Sequence, residues 1–125
     1  MDKTFYITTP IYYPSAKPHM GHAYSSIIAD FLARFKRIDG FDVQFLTGTD
    51  EHGLKIQRSA EKQNIDPLEF CNQISQTFRD LSKTLNLTNT DFIRTTEDRH
   101  KKTVQHLWNE LEKNDDIYLS KYSGW

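Results

Sequence analysis

The chain has 125 residues, a common size for one domain, and its 37% hydrophobic and 26% charged residues are typical of a folded globular protein. Sixteen Lys and Arg against seventeen Asp and Glu give a formal net charge of −1, which excludes a protein held on nucleic acid by bulk positive charge. The single cysteine excludes an internal disulfide framework, and because neither a membrane-length apolar run nor a signal-peptide core is present, we expect a cytoplasmic protein without a membrane partner.

The predicted elements begin with a strand over residues 4–9, ended by Pro10 and followed by a proline-rich loop over 10–18. A helix comes next, because apolar residues recur every three to four positions until Asp39-Gly40 ends it. This apolar stripe consists of Ala23, Ile27, Phe31, Phe35 and Ile38. Residues 42–46 are predicted as a second strand, and residues 54–63 as a second helix.

The rest of the chain continues the alternation. Asp66, with Pro67 next and Glu69 three residues later, marks a helix start. Residues 92–95 are predicted as a third strand, which is followed by a last helix and a last strand over 117–122. This order predicts an α/β domain with a mostly parallel sheet, in which ligands bind beyond the carboxyl ends of the strands.

Two polar turns are expected at that edge of the sheet, and the first is Pro-His-Met-Gly-His over residues 18–22. It directly precedes a helix, whose amino end carries free N–H groups that suit a phosphate. His19 and His22 add donors for charge that develops on a phosphoryl group, and Gly21 allows close approach to the backbone. In the alternative interpretation the two histidines are structural and cap the helix.

The second polar turn reads Gly-Thr-Asp-Glu-His-Gly over residues 48–53. In one interpretation Asp50 caps the helix that follows. In the other its carboxylate binds a cationic group of a ligand, which the shared sheet edge favours. A metal site is a third alternative, and its candidate ligands would be His19, His22, Asp50, Glu51 and His52. Because the first two histidines are not spaced i, i+4 on one helix face, we expect no metal site in this chain.

Together these segments resemble a known family. Residues 8–13 (TTPIYY) and 18–24 (PHMGHAY) are similar to the amino-terminal signature of methionyl-tRNA synthetases, and residues 19–22 match the H-I-G-H motif of class I aminoacyl-tRNA synthetases. Residues 45–53 (FLTGTDEHG) resemble the second methionyl signature, and the resemblance extends through residues 121–125. It implies an α/β, Rossmann-like nucleotide-binding fold with a mostly parallel sheet, of which the chain supplies the first half only.

The resemblance implies a two-step reaction. The carboxylate of methionine attacks the α-phosphate of ATP, giving methionyl-adenylate and pyrophosphate, and the methionyl group then passes to its tRNA. His19 and His22 are the implied catalytic residues, which bind ATP together with Gly21. The implied methionine-binding residues are Ile11, Tyr13 and Asp50, with His52 as a further candidate.

The implied partners are methionine, ATP with Mg²⁺ as substrate, and the methionine tRNA, which is expected to bind mostly through regions absent from this chain. The family's K-M-S-K-S signature does not occur in the 125 residues. We therefore expect residues 1–113 to be the amino-terminal half of the catalytic domain and residues 114–125 to begin a connective insertion. On this interpretation the chain alone has little or no aminoacylation activity.

Two other functional classes stay open on the sequence. A small nucleotidyltransferase of the wider H-x-G-H group shares the phosphate chemistry, although its usual glycine-rich strand end is replaced here by residues 10–13 (PIYY). A non-catalytic binding module would use the half-site to hold methionine, a nucleotide or a polypeptide. A response to methionine separates the synthetase from the nucleotidyltransferase.

Overall fold

The computed structural model describes residues 3–123, and three of its elements are strands and four are helices. In chain order they are β1 (Thr4–Thr8), α1 (Met20–Ile38), β2 (Asp42–Thr49), α2 (Leu54–Gln63), α3 (Pro67–Thr84), β3 (Asp91–Arg94) and α4 (Asp98–Lys113). The strands form one parallel sheet in the order β1-β2-β3. The predicted α/β class with a mostly parallel sheet is confirmed.

The strand predicted over residues 117–122 is wrong. Residues 116–123 form neither strand nor helix. Tyr118, Leu119 and Tyr122 are exposed, and this segment has no partner strand within residues 3–123. Because a strand is stabilised by pairing with a neighbour, β-prone residues alone do not form one. Gly124 and Trp125, the last two residues of the segment 121–125 to which the family resemblance extends, lie outside the described residues.

The chain divides into two compact units, Met1–Thr95 and Thr96–Trp125. The first unit contains the whole sheet, helices α1 to α3 and all the candidate site residues. Among the described helices, none has the length and apolar character needed to cross a membrane.

The parallel register brings both polar turns to one edge of the sheet, as the sequence predicts. Thr8 pairs with Leu46, and Leu46 pairs with Asp91, so the carboxyl ends of the three strands point the same way. The loop after β1 then returns to this edge, because the Tyr12 backbone N–H donates to the Gly48 carbonyl at 2.9 Å and the Asp50 N–H donates to the Tyr12 carbonyl at 2.8 Å. Strand β2 continues to Thr49, beyond its predicted end at residue 46, because residues 47–49 pair with β3.

Helix α1 packs on the sheet through small residues instead of through its apolar stripe. Ala29 and Ala33 are buried against Val43 and Phe45 of β2. The stripe that predicts the helix lies elsewhere on its surface: Ile27 is 50%, Phe31 68%, Phe35 53% and Ile38 88% exposed. Small side chains allow the helix axis to lie close to the strands. The periodic spacing of the large apolar residues does not indicate which face of the helix makes this contact.

Helix α3 begins as the sequence predicts and supplies the other part of the core. The Asp66 carboxylate caps it by accepting hydrogen bonds from the N–H groups of Leu68 and Glu69 at 2.8 and 3.2 Å. Cys71 and Phe78 of this helix are buried. Burial, followed by the negative charge of Glu51, raises the pKa of the Cys71 thiol to about 11, so Cys71 is a core residue without nucleophilic character near neutral pH.

Candidate active site

His19 and His22 cap the amino end of α1 reciprocally. His19 Nδ1 accepts a hydrogen bond from the Gly21 N–H at 3.1 Å, and His22 Nδ1 accepts one from the His19 N–H at 3.0 Å. The two rings stack with their centroids 3.8 Å apart. The capping interpretation of the histidines is therefore confirmed, and it is compatible with a second, chemical role.

The capping bonds determine where a neutral ring carries its proton. Since each Nδ1 accepts from a backbone N–H, the proton of a neutral ring lies on Nε2, which makes Nε2 a hydrogen-bond donor. Burial, followed by the nearby charge of His19, lowers the pKa of His22 below its ordinary value of 6.5. The lowered pKa favours the neutral form of His22 at pH 7, and the pair offers N–H donors at a helix end that already favours anions.

Gly21 and Tyr12 hold this pair in place. A Cβ at position 21 would lie 3.0 Å from His19 Cε1, so glycine leaves the space in which the His19 ring folds back over the helix end. The buried Tyr12 hydroxyl lies 2.7 Å from Ser26 Oγ and donates to the His22 carbonyl at 3.2 Å. The Tyr12 ring also stacks on Phe78, with centroids 5.4 Å apart. Tyr12 thus positions the histidines, a role that no local sequence pattern indicates.

Asp50 follows β2 directly and does not cap α2. The N-cap of α2 is Gly53, with no side-chain capping bond, so the interpretation of Asp50 as a helix cap is wrong. The Asp50 carboxylate is half-buried and makes no hydrogen bond or ion pair within residues 3–123. A partly desolvated carboxylate without a protein partner is suited to bind a cation.

Glu51, the next residue, has the opposite environment. Its side chain is fully buried and its Oε1 lies 2.7 Å from Arg94 Nε. Thr49 Oγ1 donates to the same oxygen at 2.7 Å, and the Glu51 N–H donates to Thr95 Oγ1 at 2.8 Å. The local sequence indicates Glu51 only as a candidate metal ligand and gives no sign of this pair, because Arg94 lies far away along the chain.

His52 completes the turn. Its Nε2 lies 3.3 Å from the Thr95 carbonyl oxygen, and its own carbonyl accepts a 2.8 Å hydrogen bond from the Tyr13 hydroxyl. The five candidate metal ligands do not form a metal centre: within residues 3–123, no group of three or more His, Cys, Asp or Glu is placed to hold a metal ion.

Ile11 and Tyr13 have different surroundings. Ile11 lines a cleft of about 280 Å³ at the carboxyl edge, with Thr8, Thr9, Leu46, Thr47, Gly48 and Ile93. Tyr13 packs against the buried cluster around Ile56 and Phe70 instead. The structure therefore brings Ile11 to an open cleft, while Tyr13 is linked to the second polar turn.

A larger cleft of about 550 Å³ lies away from these residues. It is formed by the end of α3 and the loop that leads into β3, and its lining includes Arg79, Lys83, Asn86 and Asn89. None of the candidate catalytic or binding residues lines it. We therefore place the candidate site at the carboxyl edge of the sheet because of the side chains found there, although the 550 Å³ cleft is larger.

Comparison with known proteins gives consistent matches along the whole chain. The family described as tRNA synthetases class I (M) matches residues 5–125. Methionine–tRNA ligase from Bacillus subtilis is 54% identical over 124 residues, which are 99% of this chain and 19% of that protein. The corresponding ligase from Rickettsia conorii is 54% identical over 125 residues, which are 100% of this chain and 25% of that protein. The chain thus spans a quarter or less of these relatives.

A solved structure gives the same match in three dimensions. Mycobacterium tuberculosis methionyl-tRNA synthetase bound by methionyl-adenylate superposes with a TM-score of 0.93 at 46% identity. The match covers 98% of this chain and 24% of that one. The Rossmann-like catalytic fold predicted from the sequence is confirmed by this similarity.

Proposed function

The chain belongs to the class I tRNA synthetases (M), and from that premise we propose that it supplies the methionine- and ATP-binding part of a methionine–tRNA ligase. In the first step the methionine carboxylate attacks the α-phosphate of ATP, which forms methionyl-adenylate and releases pyrophosphate. In the second step the methionyl group is transferred to its tRNA. This substrate pair combines one ammonium group with a polyanion.

One observation carries the proposal: the Asp50 carboxylate, which has no partner within residues 3–123, and the histidine-capped end of α1 lie at the same edge of the sheet. Asp50 offers a charge-assisted contact to the methionine ammonium. The amino end of α1 offers N–H donors to phosphate. A single edge therefore provides opposite electrostatic environments for the two substrates, which helps to orient the attacking carboxylate toward the phosphorus.

His19 and His22 are the proposed catalytic residues. Their Nε2–H groups would donate to phosphate oxygens as negative charge develops on them, and Gly21 would allow the adenine to lie close to the backbone. A positioned donor of this kind contributes roughly 10²–10³ in rate. Capping favours this role, because a ring held through Nδ1 loses little freedom when Nε2 binds a ligand.

The thioether of methionine is assigned to Ile11 and Tyr13. Ile11 supports this assignment by lining the 280 Å³ cleft next to the turn. Tyr13 offers an aromatic ring, with which sulfur makes modestly favourable contacts. His52, whose carbonyl receives the Tyr13 hydrogen bond, is the further candidate contact at the amino-acid end.

The remaining partners follow from the same proposal. ATP would enter as its Mg²⁺ complex, and the methionine tRNA would be the acceptor of the second step. We further propose that residues 1–113 form the amino-terminal half of a class I catalytic domain and that residues 114–125 begin its connective region. A cytoplasmic location fits the single, buried cysteine.

A thermal-shift titration of the complete gene product tests this function. Methionine and a non-hydrolysable methionyl-adenylate analogue should raise the unfolding temperature, whereas leucine should not. A ligand at 100 times its Kd adds about 2.7 kcal/mol to the free energy of unfolding, which is readily measured. The proposal would be contradicted if leucine stabilised the protein as much as methionine does. It would also be contradicted if neither methionine nor the adenylate analogue raised the unfolding temperature.

A further inference from the structure

The buried Glu51–Arg94 ion pair lies directly next to the proposed methionine site. Glu51 stands between Asp50 and His52 in the chain, and its side chain is fully buried with Oε1 at 2.7 Å from Arg94 Nε. Arg94 is the last residue of β3. The pair therefore ties the turn after β2 to the end of the neighbouring strand.

Further hydrogen bonds extend this connection to α3. Arg94 Nη2 donates to Asn72 Oδ1 at 2.8 Å. Thr49 Oγ1, which donates to Glu51 at 2.7 Å, lies 3.2 Å from Ser75 Oγ. Three elements, β2, β3 and α3, thus converge on one peptide segment, and this segment carries the two candidate ligand contacts of the second polar turn.

Stability alone does not account for such a pair. Burying two charges has a large desolvation cost, and well-packed apolar residues of similar volume are often equally or more stabilising. The Glu51 carboxylate also has a specific electrostatic effect. It compensates the positive charge of Arg94, whose side chain is only 18% exposed, at the residue that follows Asp50 in the chain.

We propose that Glu51 and Arg94 are positioning residues for methionine binding, an inference that rests on the proposed function. Their ion pair fixes the backbone that carries Asp50 and His52, and it keeps Arg94 from competing with the methionine ammonium for the Asp50 carboxylate. Neither residue needs to touch the substrate. In the part of the chain that the structure describes, the result is a site with one uncompensated carboxylate, which matches a ligand with one ammonium group.

The test is methionine-dependent ATP–pyrophosphate exchange by the complete gene product, with KM measured separately for methionine and ATP. Glu51→Gln keeps the side-chain shape but removes the negative charge that lies against Arg94. We expect it to raise the KM for methionine about 10- to 100-fold, the size of effect that small misplacements produce, with a much smaller change in the KM for ATP. The double variant E51Q/R94Q removes the competing charge as well and should recover part of the methionine KM.

Asp30→Asn is the matched control. Asp30 is also buried, lies 2.6 Å from Arg34 Nε and accepts hydrogen bonds from Thr88, but it connects α1 to the loop before β3. Its loss should lower the unfolding temperature without changing the KM for methionine. A purely structural ion pair at Glu51 would behave in the same way.

The outcomes separate the inference from the proposed function. If the wild-type protein performs the exchange and E51Q lowers only its unfolding temperature, as D30N does, the positioning role is overturned. If the wild-type protein shows no methionine-dependent exchange, the proposed function and the inference fall together. If E51Q does not fold, Arg94→Lys is the alternative variant. It keeps the positive charge but lacks the guanidinium group that donates to Asn72. An unchanged methionine KM in R94K would then overturn the inference, and a raised one would support it.

Discussion

The Tyr13 hydroxyl donates a 2.8 Å hydrogen bond to the backbone carbonyl of His52, and this contact joins the loop after β1 to the turn after β2. Gly53 is essential to the geometry. Its φ is +107°, and a Cβ there would lie 2.7 Å from the Tyr13 hydroxyl oxygen. The loop after β1 and the turn after β2 are therefore connected, so a change in either segment is expected to affect the other.

Tyr13→Phe tests this connection. The variant keeps the ring but removes a hydrogen bond whose net free-energy contribution is about 0.5–1.5 kcal/mol. This free energy corresponds to roughly a 2- to 12-fold change in an equilibrium constant. We expect a rise of this size in the KM for methionine in ATP–pyrophosphate exchange. Tyr6→Phe is the control, because Tyr6 is 64% exposed on β1. Equal behaviour of the two variants would contradict the assigned role of the hydroxyl.

The capping role and the proposed catalytic role of the two histidines can be tested separately. Asn is a good N-cap and Gln is a good third-position partner in a capping box, so His19→Asn and His22→Gln should each retain most of the stability. Each variant loses the Nε2–H donor and should lower the rate of adenylate formation roughly 10²–10³-fold. Urea unfolding and exchange kinetics measure the two effects. Unchanged kinetics would reduce the histidines to helix caps.

The lowered pKa of His22 predicts how stability depends on pH. Below its unfolded value of 6.5, the unfolded chain binds a proton that the folded chain, with its lower pKa, does not yet bind. The contribution of His22 is thus fully present above pH 6.5 and is lost as the pH falls through the folded pKa. Urea unfolding between pH 7.5 and 5 should show this loss in the wild type, and H22Q should have a flatter profile. Equal slopes would contradict the prediction.

Asp30 contributes in a more acidic range, so it does not obscure that measurement. Burial would raise the pKa of its carboxyl, but hydrogen bonds from Thr88 and the contact with Arg34 outweigh it and lower the pKa below 3.8. Its stabilising contribution is present above the unfolded value and disappears only as the pH falls through the lower, folded value.

Gly48 is predicted to tolerate no side chain. A Cβ there would lie 2.0 Å from the Ile93 carbonyl oxygen, where β3 pairs with β2. Gly48→Ala must therefore separate the strands, at a cost of about 1–3 kcal/mol or more. Gly40→Ala is the control, since a Cβ at Gly40 meets nothing within 4 Å and has only the strain of φ +82°. Urea unfolding that ranks G40A as the more destabilised variant would contradict this account.

The sequence predicts those parts of the fold that local patterns determine. The second helix has the predicted bounds, 54–63, and the cap at Asp66 lies where the Asp-Pro pattern indicates it. The strand over 117–122 is wrong because strands depend on partners, and β2 runs past its predicted end because residues 47–49 pair with β3. Both results depend on pairing between segments that are distant in the chain, which the local sequence does not indicate.

The same distinction applies to the candidate site. The shared edge of the two polar turns follows from strand–helix alternation and is predictable. The environments of Asp50 and Glu51 are not, because one carboxylate is buried with Arg94 while its neighbour has no partner within the described residues. That difference arises from contacts between distant segments, and it determines which of the two carboxylates can receive a ligand.

Methionine-dependent ATP–pyrophosphate exchange by the complete gene product tests whether Asp50 binds the methionine ammonium, with Asp50→Asn compared to Asp39→Asn at the exposed end of α1. We expect exchange with methionine and not with leucine. Since losing one member of a desolvated charge pair costs about 2 kcal/mol or more, D50N should lower kcat/KM for methionine at least about 30-fold while D39N leaves it unchanged. Exchange that is absent, that leucine supports equally, or that D50N and D39N affect alike would contradict this expectation.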